Sequence, residues 1–211
     1  MAGTTVRDDG AVEAAFRDAL LAVGTPVGSE LDRRLDEARA TMGQSKIEVF
    51  RSILGDEADA QAANRAFEAA YDESVVKAGA APLPGAEDVL RELRARDVRV
   101  CLTTGFSAPT QHRLMAALGW EKLVDLTLAP SETRRGRPYP DLVLEALLRL
   151  RIDDVRAVAV AGDTVSDLVA GTRAGAAIVA GVLTGAHGRE QLGSAPHTHI
   201  IESIAELPAL L

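Results

Sequence analysis

The sequence predicts an α/β protein: a doubly wound, Rossmann-like parallel sheet with an inserted helical cap domain. Two observations predict it. Residues 11–80 carry apolar positions at helical spacing and no strand-like run. Beyond a proline- and glycine-rich linker, short apolar runs alternate with helical segments, as in a parallel sheet covered on both faces. The expected division is a core of residues 1–10 and 81–211 and a cap of residues 11–80.

Four helices are expected in the cap. Ala11–Val23 places Val12, Ala15, Phe16, Ala19, Leu20 and Val23 at helical spacing. Ser29 can cap a second helix running to about Met42. Ser45 precedes a third, Lys46–Leu54, with Ile47, Phe50 and Leu54 on one face. Asp56–Lys77 makes a fourth, carrying Phe67, Tyr71 and Val75. The stretch Ala81-Pro82-Leu83-Pro84-Gly85 then stops helix formation and marks the linker. After it, strands are expected at Val98–Thr103, Val124–Leu128, Val155–Ala161 and Ala177–Val182, with a short last one at His199–Ile201. Helices at Ala108–Leu118, Asp141–Leu150 and Asp167–Ala174 fall between them.

Composition narrows the function classes. The 211 residues carry a formal charge of −8, which argues against a nucleic-acid or membrane-surface partner. No apolar stretch approaches a membrane span, and the charged first twenty residues contain no apolar signal core, so a cytoplasmic location is expected. The single cysteine, Cys101, excludes a disulfide within the chain and is expected as a buried strand residue. Aromatics make up only 3% of the chain, so the core must rest on Ala, Leu and Val.

In doubly wound sheets, ligands bind at the carboxyl ends of the strands. The run Val155–Ala161 ends in Gly162-Asp163-Thr164-Val165-Ser166-Asp167. Asp163 and Asp167 can hold a hard cation such as Mg²⁺ through oxygen ligands; Asp167, or Ser166 beside it, can equally cap the next helix. The run Val98–Leu102 ends in Thr103-Thr104-Gly105, whose hydroxyls and N–H groups suit phosphate oxygens or simply form a turn. Between them, Pro138 and Pro140 keep Arg137 out of a helix, so its guanidinium can meet a phosphate; Arg134 and Arg135 read as a solvated basic loop. The four histidines, His112, His187, His197 and His199, fit no catalytic scheme.

Together these motifs resemble the haloacid dehalogenase superfamily, in the family's order and over essentially the whole chain. Met1-Ala2-Gly3-Thr4 is similar to the end of a first motif Asp-Met-Ala-Gly-Thr, with Gly3 and Thr4 beside the substrate. Thr103 resembles the second-motif hydroxyl, with Thr104 and Gly105 beside it, Arg137 the third-motif cation, and Asp163 and Asp167 the metal-binding acids. An alanine in the first motif with an arginine in the third resembles the phosphonatase branch. Met42-Gly43-Gln44-Ser45-Lys46 is similar to that branch's cap segment, which implies substrate contact by Met42 and a Schiff-base role for Lys46. One departure stands out: Val49 occupies the position where the branch is expected to carry histidine.

The resemblance implies a Mg²⁺-dependent hydrolase acting on a small phosphonate or phosphate, through an aspartyl-phosphate and a lysine imine. It also implies a central strand and a nucleophilic aspartate ahead of Met1, and allows a homodimer through the cap. Two alternatives remain: a phosphoglycolate-type phosphomonoesterase in which Lys46 only binds an anion, and a phosphate-binding protein without turnover.

Overall fold

The computed structural model describes residues 1–211, apart from the side chains of Val76 and Ala78. Four helices come first: α1 (Ala11–Ala22), α2 (Ser29–Ala40), α3 (Lys46–Leu54) and α4 (Glu57–Ala78). Their ends follow local chemistry. Gly55 closes α3 in the left-handed conformation, and the Asp56 carboxylate accepts the Asp59 N–H at 2.9 Å to start α4. Helix α2 begins after Gly28, so Ser29 is its first residue and not its cap, and it stops at Ala40, short of the expected Met42.

Two extended segments join these helices to the rest of the chain. Arg7 donates its N–H to the Ala81 carbonyl and Leu83 donates to the Thr5 carbonyl, each at 2.9 Å. The entry and exit of the helical layer are therefore zipped together, which fixes its position above the sheet.

The sheet-forming part contains α5 (Ala86–Ala95), β1 (Cys101–Thr103), α6 (Ala108–Leu118), β2 (Leu126–Leu128), α7 (Asp141–Leu150), β3 (Ala159–Gly162), α8 (Val165–Ala174), β4 (Ile178–Val182), α9 (Arg189–Gly193) and β5 (His199–Ile201). Helices α5 and α9 were not expected. Helix α5 follows the linker directly and buries Val89, Leu90 and Leu93 on one face.

Every strand pair is parallel. The strands form two groups, β1 with β2, and β3, β4 and β5 in that order. They are shorter than the apolar runs suggested. Val98 donates to the Leu93 carbonyl and Val100 to the Asp125 carboxylate, so that stretch is bonded outside the sheet. Val155–Ala157 is a 3-10 turn, started by the Asp154 carboxylate accepting the Arg156 N–H. Cys101 is half-buried rather than buried, and burial still pushes its thiol up to about 12.

Between β1 and β3 lies an apolar cavity of about 410 Å³, lined by Cys101, Leu102, Val160, Ala161 and Leu147 among others, with Met1 at its edge. Helices α5 and α7 close it above and below the strands through Leu90, Leu93, Val143 and Leu150.

One apolar cluster joins both layers, running from Phe16, Phe50 and Phe67 in the helices to Leu102, Ala180 and Val182 in the sheet. The chain has four phenylalanines, and Phe16, Phe50 and Phe67 pack with ring centroids 4.9–6.1 Å apart, a favourable range for aromatic pairs. Phe50 is fully buried. Phe50→Ala is expected to cost about 3–5 kcal/mol, the usual range for deleting a buried phenyl ring, read as a lower urea midpoint at unchanged slope.

Candidate active site

The carboxyl ends of β1 and β3 and the loop after β4 open under α3, enclosing a pocket of about 340 Å³. Asp163 follows β3, and both its oxygens are engaged. Oδ1 accepts the Thr4 hydroxyl at 2.6 Å, and Oδ2 accepts the Ala186 N–H at 2.9 Å. Thr4 thus faces Asp163, not the pocket as expected of a substrate contact. Two glycines enclose the same carboxylate: a Cβ on Gly3 or Gly185 would collide with it.

Asp167 is the third residue of α8, which Thr164 caps. The Thr164 N–H and hydroxyl both donate to Asp167 Oδ2, at 3.0 and 2.5 Å, and Asp167 N–H returns a bond to Thr164. Helix α8 therefore starts at Val165 instead of Asp167. Capping and site geometry are one arrangement, because Asp167 Oδ1 accepts from Arg137 in a buried ion pair. Burial pushes the Asp167 carboxyl upward, but Arg137 and the Thr164 hydroxyl outweigh it and hold it below the usual carboxylate range. Arg137 Nε is buried and has no partner among the described residues. A free guanidinium N–H beside a pocket suits an anion.

The structure separates the Thr-Thr-Gly residues. Thr104 and Gly105 line the pocket, whereas Thr103 lines the cavity between the strand groups. The Met1 amino nitrogen lies 3.3 Å from the Thr103 carbonyl oxygen.

From above, the segment Met42–Lys46 descends onto these loops. The Lys46 N–H donates to the Gly105 carbonyl at 3.1 Å. Gly43 has φ +86°, and a Cβ there would strike the Thr164 hydroxyl; a Cβ on Gly105 would strike the Gln44 carbonyl. Two glycines therefore allow backbone to meet backbone between the layers. Met42, Gly43 and Lys46 all line the pocket.

Lys46 begins α3 but is only 6% exposed, unusual for a lysine. Its Nζ sits 4.9 Å from the Phe16 ring centroid and 5.6 Å from those of Phe67 and Phe106. Burial, with Arg137 adding repulsion, lowers its pKa to about 8; Asp8 and Asp163 act in the opposite sense. The pocket thus brings together Lys46, Arg137, Asp163, Asp167, Gly3, Met42, Thr104 and Gly105.

Sequence reasoning missed two contributors. Asp8 also lines the pocket. His187 is buried and its Nδ1 accepts the Val165 N–H at 3.0 Å, while its backbone N–H donates to the Asp163 carbonyl. It anchors the loop that supplies Ala186 to Asp163 and the Thr184 hydroxyl to the Gly3 carbonyl. Only the Thr184-Gly185-Ala186-His187-Gly188 run after a strand could have signalled it.

The haloacid dehalogenase-like hydrolase family model matches residues 1–175. This chain belongs to that family. It is 29% identical over 209 residues to "Probable phosphatase IndB" of Dickeya dadantii, covering 97% of this chain and 88% of that protein. It is 30% identical over 217 residues to phosphonoacetaldehyde hydrolase of Pseudomonas aeruginosa, covering 84% of this chain and 78% of that one. A crystal structure of a phosphonoacetaldehyde hydrolase-like protein from Oleispira antarctica superposes with a TM-score of 0.83 at 24% identity, covering 99% of this chain and 88% of that one. The fold is thus the Rossmann-type α/β fold of these hydrolases. No helix among the described residues is long and apolar enough to cross a membrane.

Gly43→Ala forces a side chain into a left-handed backbone position against Thr164. It is expected to lift the Met42–Lys46 segment and speed trinitrobenzenesulfonate modification of Lys46, followed by peptide mass spectrometry.

Proposed function

We propose that this hydrolase cleaves the carbon–phosphorus bond of a small aldehyde-bearing phosphonate, with residues 11–80 acting as a cap over a core of 1–10 and 81–211. The observation that carries this reading is a buried, low-pKa amine, Lys46, in the same pocket as Arg137 and two carboxylates. A phosphate ester needs no such amine. A C–P bond does, because the departing carbon must accept an electron pair, and an iminium is the electron sink that permits it.

The neutral Lys46 amine adds to the aldehyde carbon and water leaves, giving an iminium. As a nucleophile attacks phosphorus, the C–P electron pair flows into the iminium to form an enamine, and hydrolysis of the enamine returns the Lys46 amine. Arg137 neutralises the phosphoryl oxygens, and Thr104 and Gly105 orient them. Lys46 is held over aromatic faces that tolerate its charge when protonated.

The donor set also fits a divalent cation. Asp163 and Asp167 are hard oxygen ligands, and the missing Cβ atoms of Gly3, Gly162 and Gly185 let these carboxylates pack directly against backbone. Among the described residues no third carboxylate, histidine or cysteine joins them. Bound there, Mg²⁺ would supply charge neutralisation at the phosphoryl group.

The test is phosphate release from phosphonoacetaldehyde and from phosphoglycolate with Mg²⁺. The expected result is turnover of the phosphonate, abolished by Lys46→Arg. Turnover of phosphoglycolate alone, unaffected by Lys46→Arg, would establish a phosphomonoesterase instead. Mg²⁺ and phosphate binding without any turnover would establish a binding role.

The Lys46 pKa gives a pH prediction. Only the neutral amine adds to an aldehyde, so borohydride-trapped adduct should form faster as pH rises, with half-maximal rate near about 8. The sign for stability agrees. The folded lysine holds its proton less tightly than the unfolded one, so stability should rise with pH between about 8 and 10.5.

A further inference from the structure

Imine formation releases a hydroxyl from carbon, and in a site closed over by α3 that hydroxyl needs a proton donor. Four carboxylates line the pocket: Asp8, Asp9, Asp163 and Asp167. Three are unsuited. Asp163 is taken by Thr4 and Ala186. Asp167 is taken by Thr164 and Arg137. Asp9 is exposed, where water competes for its proton.

Asp8 differs from all three. It is half-buried at the turn leading into α1, and only one oxygen is engaged: Oδ1 accepts the Val12 N–H at 3.1 Å. Its other oxygen has no protein hydrogen bond among the described residues. The Val12 contact fixes the orientation of the carboxyl and leaves that oxygen available to the pocket.

We propose that Asp8 is the general acid and base for the lysine step, donating a proton to the carbinolamine hydroxyl formed on Lys46 and recovering one afterwards. The assignment rests on the imine reading of Lys46. Neutral Lys46 nitrogen bonds to the aldehyde carbon, the carbonyl oxygen becomes hydroxyl, and the amine proton is lost to it. Asp8 then protonates that hydroxyl, the C–O bond breaks, water leaves, and the nitrogen lone pair forms the iminium. The Asp8 carboxylate that remains faces the new cation. Supporting this, burial raises the Asp8 carboxyl above its ordinary range, and Lys46 is the nearby cation that opposes the rise. Burial that favours the acid form suits a group that must donate a proton. The expected histidine of the phosphonatase pattern is Val49 here, buried and apolar, so α3 itself offers no donor at that position.

Asp8→Asn separates this role from helix capping, because the amide oxygen still accepts the Val12 N–H while the group can no longer transfer a proton. The experiment follows borohydride-trapped adduct on Lys46 by mass spectrometry, with phosphonoacetaldehyde as the probe and residues 1–211 as the protein. It requires no phosphoryl transfer. Asp8→Asn should slow adduct formation on the order of 100-fold, in the range typical of a lost general acid, with Asp8→Glu recovering part of the rate. Circular dichroism should show both variants folded. An Asp8→Asn rate within about twofold of the parent, or equal slowing by Asn and Glu, would overturn the assignment of Asp8 alone, since such changes are too small or too unspecific for a lost general acid. A parent chain that forms no adduct would remove the imine reading itself, and Asp8 with it.

Discussion

Burial of the Lys46 amine is the constraint from which the rest of the site follows. A lone ammonium taken out of water is costly, and here the cost is moderated by aromatic faces and by loss of the proton. Phe16 comes from α1, Phe67 from α4 and Phe106 from the core loop after β1. The rings can surround the amine only when helices and core are in contact. The packing that holds the two layers together is therefore the same packing that sets the chemistry of the lysine.

The close approach beneath it depends on small residues. Gly105 lets the Met42–Lys46 segment and the loop after β1 meet at backbone distance, Gly43 packs against the Thr164 side chain, and the Lys46 N–H bond to Gly105 fixes the register between the two segments. Gly3 and Gly185 do the same around Asp163. The carboxylates are held by hydroxyl and backbone donors from three separate stretches of chain, so their positions are set before any ligand arrives.

Much of this was legible in the sequence because it is local. The helices α1, α3, α6 and α7 follow from apolar spacing, and the acidic and basic site residues sit where strands end. What was misplaced was placed wrongly for local reasons too. Thr164 proved a stronger cap than Asp167 or Ser166, and Val98–Val100 found hydrogen-bond partners outside the sheet. Helix α5 was overlooked because Pro84 and Gly85 read only as a break, although Gly85 is also its N-cap. Thr103 and Thr104 are adjacent in sequence but serve different cavities, which no spacing rule distinguishes.

The sequence by itself determined the fold class, the order of the motifs and the identity of the lysine, arginine and aspartates, because periodicity, turn residues and motif spacing are written along the chain. Only the tertiary structure decided that Lys46 is buried in a ring of phenylalanines, that Thr4 serves Asp163, that His187 anchors the adjoining loop, and that Asp8 keeps one oxygen free in the pocket. Most of these depend on contacts between residues distant in the chain, as between Lys46 and Phe106 or Thr4 and Asp163. Burial and partner choice are properties of such contacts, and they exist only once the layers have packed.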